Sequence, residues 1–124
     1  VNSDGAYRKY PGSYGNVTAG KIPRNILQYG HACARQRDYK KIAEANGWKA
    51  HGAPMPYKMV KFLLEFLTTP GQLVVDPMAG SATLADAAED TGNRWLITER
   101  ILQYVIGSSY RFEHRPGFER YLTN

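Results

Sequence analysis

Cys33 is the one cysteine among 124 residues. A lone thiol cannot build an internal disulfide framework, and it leaves any zinc site short of thiolates. Histidine is scarce too, and His31, His51 and His114 do not fall at metal-ligand spacings. No apolar run approaches the roughly 20 residues needed to span a bilayer. The first residues lack the basic, apolar and small-residue succession of a signal peptide. Together these absences make a reduced, cytoplasmic setting away from the membrane the expectation. Two glycine signatures are also missing. Without G-x-G-x-x-G a dinucleotide pyrophosphate is not favoured, and without the lysine of a P-loop neither is a triphosphate. The chain opens on Val1 and not on Met, which points to a trimmed start or a piece of something longer.

What the sequence does contain is ordinary in bulk. Hydrophobic residues make up 43% and charged residues 22%, as in a soluble globular domain of modest core. Sixteen Lys and Arg against eleven Asp and Glu give a net charge of +5. That excess suits a polyanion such as nucleic acid, and equally an ordinary basic surface.

Residues 1–23 place two prolines and three tyrosines among glycines and small polar residues, so they read as an irregular N-terminal arm. Asn16-Val17-Thr18 matches a glycosylation sequon, which without a secretion signal reads as chance. Further on, Asp38 can cap a helix over Tyr39–Ala45 that stops at Asn46-Gly47. With Arg35, Arg37, Lys40 and Lys41 this is the most basic stretch, and a solvated helix face explains it without a ligand. A helix is expected over 58–67, with Met59, Phe62, Leu63 and Phe66 forming a core stripe. Thr68-Thr69-Pro70-Gly71 ends it. A short buried strand over 72–75 follows, then a helix over 83–91 closed by Gly92-Asn93, a strand over 94–99 and a helix over 101–112. In that last helix Ile101, Val105, Ser108 and Phe112 share a face. Strand, helix, strand, helix is the rhythm of a βαβα unit with a parallel sheet. The tail HRPGFERYLTN gives no strong signal.

In a parallel sheet, ligands bind beyond the carboxyl ends of the strands, where Asp76 and Glu99 both fall. Their separation matches that at which a second-strand acid meets a ribose hydroxyl in nucleotide-binding folds. Ala79, Gly80, Ser81 and Ala82 would let the backbone approach a ligand closely. Acids where a phosphate binder would be positive suit an uncharged or cationic nucleoside such as S-adenosylmethionine. The same residues also fit a capped strand-to-helix turn, with Asp76 bonding backbone amides.

The segments HGAPMPYKMVKFLLEFLT, PGQLVVDPMAGSATL, AAED, RWLITE and SSYRF stand in this order across 51–112, within a likeness that covers about 22–112. In order and spacing they resemble the C-terminal half of the amino-group-modifying DNA methyltransferases. The likeness is greatest to restriction-modification enzymes that methylate cytosine at N4, with adenine-N6 enzymes as the alternative. In these enzymes H-P-A-x-x-P anchors the cofactor, followed by D-P-F-x-G-S-x-T-T, an acid after R-x-W, and S-x-x-R-F. The resemblance implies an α/β, truncated Rossmann-like domain over 24–124, with a small parallel sheet flanked by helices and S-adenosylmethionine as cofactor. It implies that His51, Pro54 and Pro56 lie beside the methionine end of that cofactor. Asp76, Met78, Gly80, Ser81 and Thr83 would form the loop beneath it, and Glu99 would accept the ribose hydroxyls. Gly52 departs from the family's Pro, and Leu84 from its second Thr.

One piece of the pattern is missing. The catalytic S-P-P-Y or D-P-P-Y, which holds the target amino group and stacks on a flipped base, is not in this sequence. Tyr10-Pro11-Gly12-Ser13 and Pro54-Met55-Pro56-Tyr57 come nearest, and the second lies inside the cofactor segment. Two strands are also too few for a complete methyltransferase sheet, so open edges call for a partner. Three readings follow. In the first, this is the cofactor-binding part of a DNA methyltransferase completed by a catalytic polypeptide. In the second, it is a non-catalytic domain binding S-adenosylmethionine, DNA or protein, as a homodimer joined through its open edges. In the third, it is a basic nucleic-acid-binding module whose loop holds no cofactor.

Overall fold

The computed structural model describes residues 25–121. The arm expected over 1–23 lies outside them. Five helical segments and two strands follow one another: α1 (Ala34–Ala45), α2 (Tyr57–Leu67), β1 (Leu73–Asp76), α3 (Thr83–Thr91), β2 (Arg94–Ile97), α4 (Leu102–Ser109) and a 3-10 turn, Tyr110–Phe112. The strands pair in parallel, Leu73 with Arg94 through Asp76 with Ile97, so α3 is the crossover the sequence rhythm predicts. Helix α3 spans 83–91 as expected. It is closed by Gly92 at φ 72°, a left-handed conformation that glycine adopts without a Cβ penalty.

Alanine makes the packing close. Ala82, Ala85, Ala87 and Ala88 are fully buried, which lets α3 sit tightly between α2 and the sheet. One cluster joins Tyr57, Val60 and Leu64 of α2 to Ala87 and Ala88, with Val74 and Trp95 against it. A second joins Ala82, Ala85 and Phe112, and it recruits Trp95, Ile97 and Phe118. Trp95 bridges the two, and its indole N–H donates to Glu89 at 2.7 Å. Phe118 draws the apparently signal-free tail onto the core.

Four expectations need correction. Helix α1 begins at Ala34, with Cys33 as its extended N-cap residue, so Asp38 lies within the helix and does not cap it. Its buried stripe Gln36, Tyr39, Ala43 repeats at helical spacing, and a glutamine in that stripe hid the pattern. On α2 the core-facing residues are Tyr57, Val60, Phe62 and Leu64; of the expected stripe only Phe62 is buried. Tyr57 qualifies because its hydroxyl donates to Asp90. In the last helix Ile106, Gly107 and Ser108 face inward while Ile101 and Val105 are exposed, because α4 packs on α1 at Gly107. A Cβ there would lie 3.3 Å from that of Ala43.

The strands supply the fourth correction. Leu73, Val75 and Leu96 are 52%, 57% and 55% exposed, so β1 is not buried on both faces. Partners in a parallel register share a face, so these three form one apolar surface. Val74, Trp95 and Ile97 alternate onto the helix-covered side.

Candidate functional site

The site grows from the carboxyl ends of the two strands. Asp76 closes β1, and its Oδ1 accepts the Met78 N–H at 2.9 Å, which turns the chain immediately. Thr98 N–H donates to the Asp76 carbonyl, and Ala79 N–H donates to the Thr98 carbonyl, both at 3.0 Å, so the loops after β1 and β2 are stitched together. The first loop then passes through two left-handed residues, Gly80 at φ 54° and Ala82 at φ 56°. A non-glycine residue in that region is strained, and such strain persists only where the surroundings over-determine it, often at ligand clamps. Ala82 is completely buried.

Glu99 is held by the same loop. One carboxylate oxygen accepts the Gly80 N–H and the other the Ile101 N–H, each at 2.8 Å. These backbone bonds keep its pKa below the usual glutamate value, so it remains an anion. The carboxylate retains lone-pair capacity for a ligand hydroxyl. Neither Asp76 nor Glu99 has an ion-pair partner among the described residues.

The His51 ring lies over Gly80: a Cβ at that glycine would meet three ring atoms at 3.1–3.2 Å. The His51 N–H donates to the Tyr39 hydroxyl at 2.8 Å, and its ring meets Tyr104 edge-on at 5.0 Å. Its Nδ1 is buried with no hydrogen-bond partner among the described residues. Pro54 and Pro56 are buried and stiffen the same segment, while Met55 between them is 39% exposed.

Ser81 and Thr83 face inward. Their hydroxyls bond each other at 2.8 Å, and Thr83 also accepts from the Gln36 amide at 3.1 Å. The structure therefore brings His51, Gly80 and Glu99 into direct proximity and sets Ser81 and Thr83 behind them. Met78, 83% exposed, stands apart from this group. Beside Glu99 opens a cavity of about 690 Å³, walled by Ala79, Ile97, Val105, Phe112 and Phe118. Its size is that of a small-molecule site. A second cavity, of about 410 Å³, borders Gly52 and Pro54 on one side and His31, Arg37 and Lys40 on the other. No cluster able to hold a metal ion occurs among the described residues, and no helix there is long and apolar enough to cross a membrane.

Three residues behind the site escaped sequence reasoning. Gln36, Tyr39 and Arg111 are all buried, and only Arg111, within SSYRF, had any signal in the sequence.

Comparison with known proteins gives the same direction. A family model described as DNA methylase matches residues 5–108. The Type II methyltransferase M.PvuII of Proteus hauseri is 35% identical over 112 residues, which are 90% of this chain and 33% of that protein. The solved PvuII DNA methyltransferase (cytosine-N4-specific) superposes with a TM-score of 0.63 at 34% identity, over 77% of this chain and 33% of that one. The M1.HpyAVI–SAM complex superposes with a TM-score of 0.58 over 88% of this chain and 44% of that one; at 16% identity it speaks for the Rossmann-like fold alone. The chain thus spans about a third of the length of the relative it matches over most of its own sequence. Family model, relative and superposition agree with the two acid-tipped parallel strands, and the chain belongs to the DNA methylase family.

Proposed function

We propose that this chain is the S-adenosylmethionine-binding part of a DNA amino-methyltransferase, acting at cytosine N4 in preference to adenine N6. The observation that carries the reading is Glu99 accepting the Gly80 N–H under the His51 ring, since one contact joins the three sequence segments expected to hold the cofactor. The residues fit that ligand. Two carboxylates at the strand ends, without ion-pair partners among the described residues, favour a cationic sulfonium over a phosphate, and a glycine whose Cβ would press on the His51 ring keeps the loop thin. In this reading Glu99 accepts the ribose hydroxyls and the Gly80–Thr83 turn lies beneath the ligand. His51, Pro54 and Pro56 flank its methionine end, with Asp76 and Met78 at the rim. The preference for N4 rests on the relative that is 35% identical, whose solved counterpart is cytosine-N4-specific.

The cofactor would supply a methyl group already activated on sulfur, so the chain's contribution is to bind and orient it and to exclude water. The target amino group would be held by S/D-P-P-Y, which this sequence lacks, so a complementary catalytic polypeptide is part of the proposal. Such a partner would pack on the exposed Leu73, Val75 and Leu96 face and extend the sheet from the outer edges of β1 and β2. DNA would approach Arg37, Lys40 and Lys41, which have no ion pairs among the described residues; Arg37 and Lys40 border the cavity beside Pro54.

Calorimetric titration with S-adenosylmethionine tests the reading. Binding is expected, and Glu99→Gln should weaken it about tenfold, the worth of a hydrogen bond to a charged group. Absence of binding by the unsubstituted chain would overturn it.

A further inference from the structure

Gln36 is 3% exposed, and its amide serves three masters. Nε2 donates to the Met55 carbonyl at 2.8 Å and to the Thr83 hydroxyl at 3.1 Å, while Oε1 accepts from Arg111. The Arg111 side chain, 5% exposed, donates from Nε to the Ser81 carbonyl at 2.8 Å and from Nη1 to Asp86 at 3.1 Å. Its guanidinium lies 4.4 Å from the centre of the Tyr39 ring, and the Tyr39 hydroxyl accepts the His51 N–H.

Two loops therefore hang from one buried polar block. Residues 51–56 are held through the His51 N–H and the Met55 carbonyl; residues 81–83 are held through the Ser81 carbonyl and the Thr83 hydroxyl. Among the described residues, every hydrogen-bonded connection between these loops runs through this block. Burying a guanidinium costs several kcal/mol before its partners compensate, and apolar residues of similar volume often stabilise as well or better. Cohesion alone therefore gives a weak reason for a buried glutamine and arginine here. Directional bonds do give a reason, because they fix where two backbone segments stand relative to each other.

We propose that Gln36 and Arg111 are positioning residues that set the gap between the 51–56 segment and the 80–83 turn, and so match the site to the amino-acid end of its ligand. The inference rests on the S-adenosylmethionine reading and adds to it the residues that gauge ligand length. Gln36→Glu isolates the effect. A carboxylate at that position can still accept from Arg111 and from the Thr83 hydroxyl, but it faces the Met55 carbonyl with an acceptor and cuts that link.

The test compares two ligands that are both uncharged at sulfur, S-adenosylhomocysteine and 5′-methylthioadenosine, which lacks the amino-acid end. Dissociation constants are measured on the full chain. Gln36→Glu should weaken S-adenosylhomocysteine about tenfold, the worth of one buried hydrogen bond with its orphaned carbonyl. It should leave 5′-methylthioadenosine within about twofold. Gln36→Met, of similar length and without charge, should change the ratio in the same sense and serves if the carboxylate variant does not fold. Equal weakening of both ligands, or of neither, would overturn the positioning role. If the unsubstituted chain binds neither ligand, the cofactor reading fails and this inference fails with it.

Discussion

Gly80 and Gly52 differ in what surrounds them, and the difference can be measured. Gly80 is left-handed and lies against the His51 ring, so Gly80→Ala must strain the backbone and displace the imidazole together. A cost of about 1–2 kcal/mol is expected from the backbone alone, read as a fall in denaturation midpoint. Gly52 has none of the described residues within 4 Å of its would-be Cβ, and Gly52→Ala should stay within about 0.5 kcal/mol. The departure from the family's Pro at that position is thus sterically harmless. Asp90 gives a pH prediction. Burial alone would raise its pKa, but the Tyr57 hydrogen bond, Arg115 and Arg35 outweigh it and hold it below the usual aspartate value. A depressed carboxylate contributes stability above its unfolded pKa and loses it as pH falls through the folded one. Unfolding experiments should show stability falling below about pH 4, with a shallower acid limb in Asp90→Asn. At this scale Asp76, Gly80 and Glu99 were legible, because strand ends and glycine loops leave local patterns. Gln36 and Arg111 were not, since the residues they join lie far apart in sequence and no local period reports them.

Elements were legible to unequal degrees. Helix α3 and the parallel pairing follow from local cues: small residues before the helix, glycine after it, and two apolar triads. The start of α1 was hidden because its buried face contains a glutamine, which hydropathy counts as polar although every donor and its carbonyl are engaged. The α4 face was misjudged because a glycine is its contact point. Gly107 approaches Ala43 so closely that Gly107→Val should cost about 1–3 kcal/mol by overpacking the α1–α4 contact. A thermal melt of that variant would check it, and an unchanged midpoint would mean the helices can slide apart freely.

At the scale of the whole molecule, part of the basic charge has a location on α1. Arg35 is tied to Asp86 and Asp90, whereas Arg37, Lys40 and Lys41 of α1 have no ion-pair partner among the described residues. If these three meet DNA phosphates, replacing them with alanine should reduce the slope of log affinity against log salt by roughly 2–3, about 0.9 for each contact. Fluorescence anisotropy with a labelled duplex reads this directly, and an unchanged slope would remove α1 from the interface. The uncovered face of Leu73, Val75 and Leu96 was announced by the sequence only as a shortage of strands. Which residues would stand exposed depended on the register, and that is a property of the folded pair.

The proposal stands on Glu99 beyond β2, the Gly80 turn and the His51 segment forming one binding site for an S-adenosyl ligand. A crystal structure of the chain with S-adenosylhomocysteine tests it most directly. The ribose hydroxyls are expected on the Glu99 carboxylate and the amino-acid end beside His51–Pro56. A ligand bound elsewhere, with Glu99 holding only the Gly80 and Ile101 amides, would contradict it.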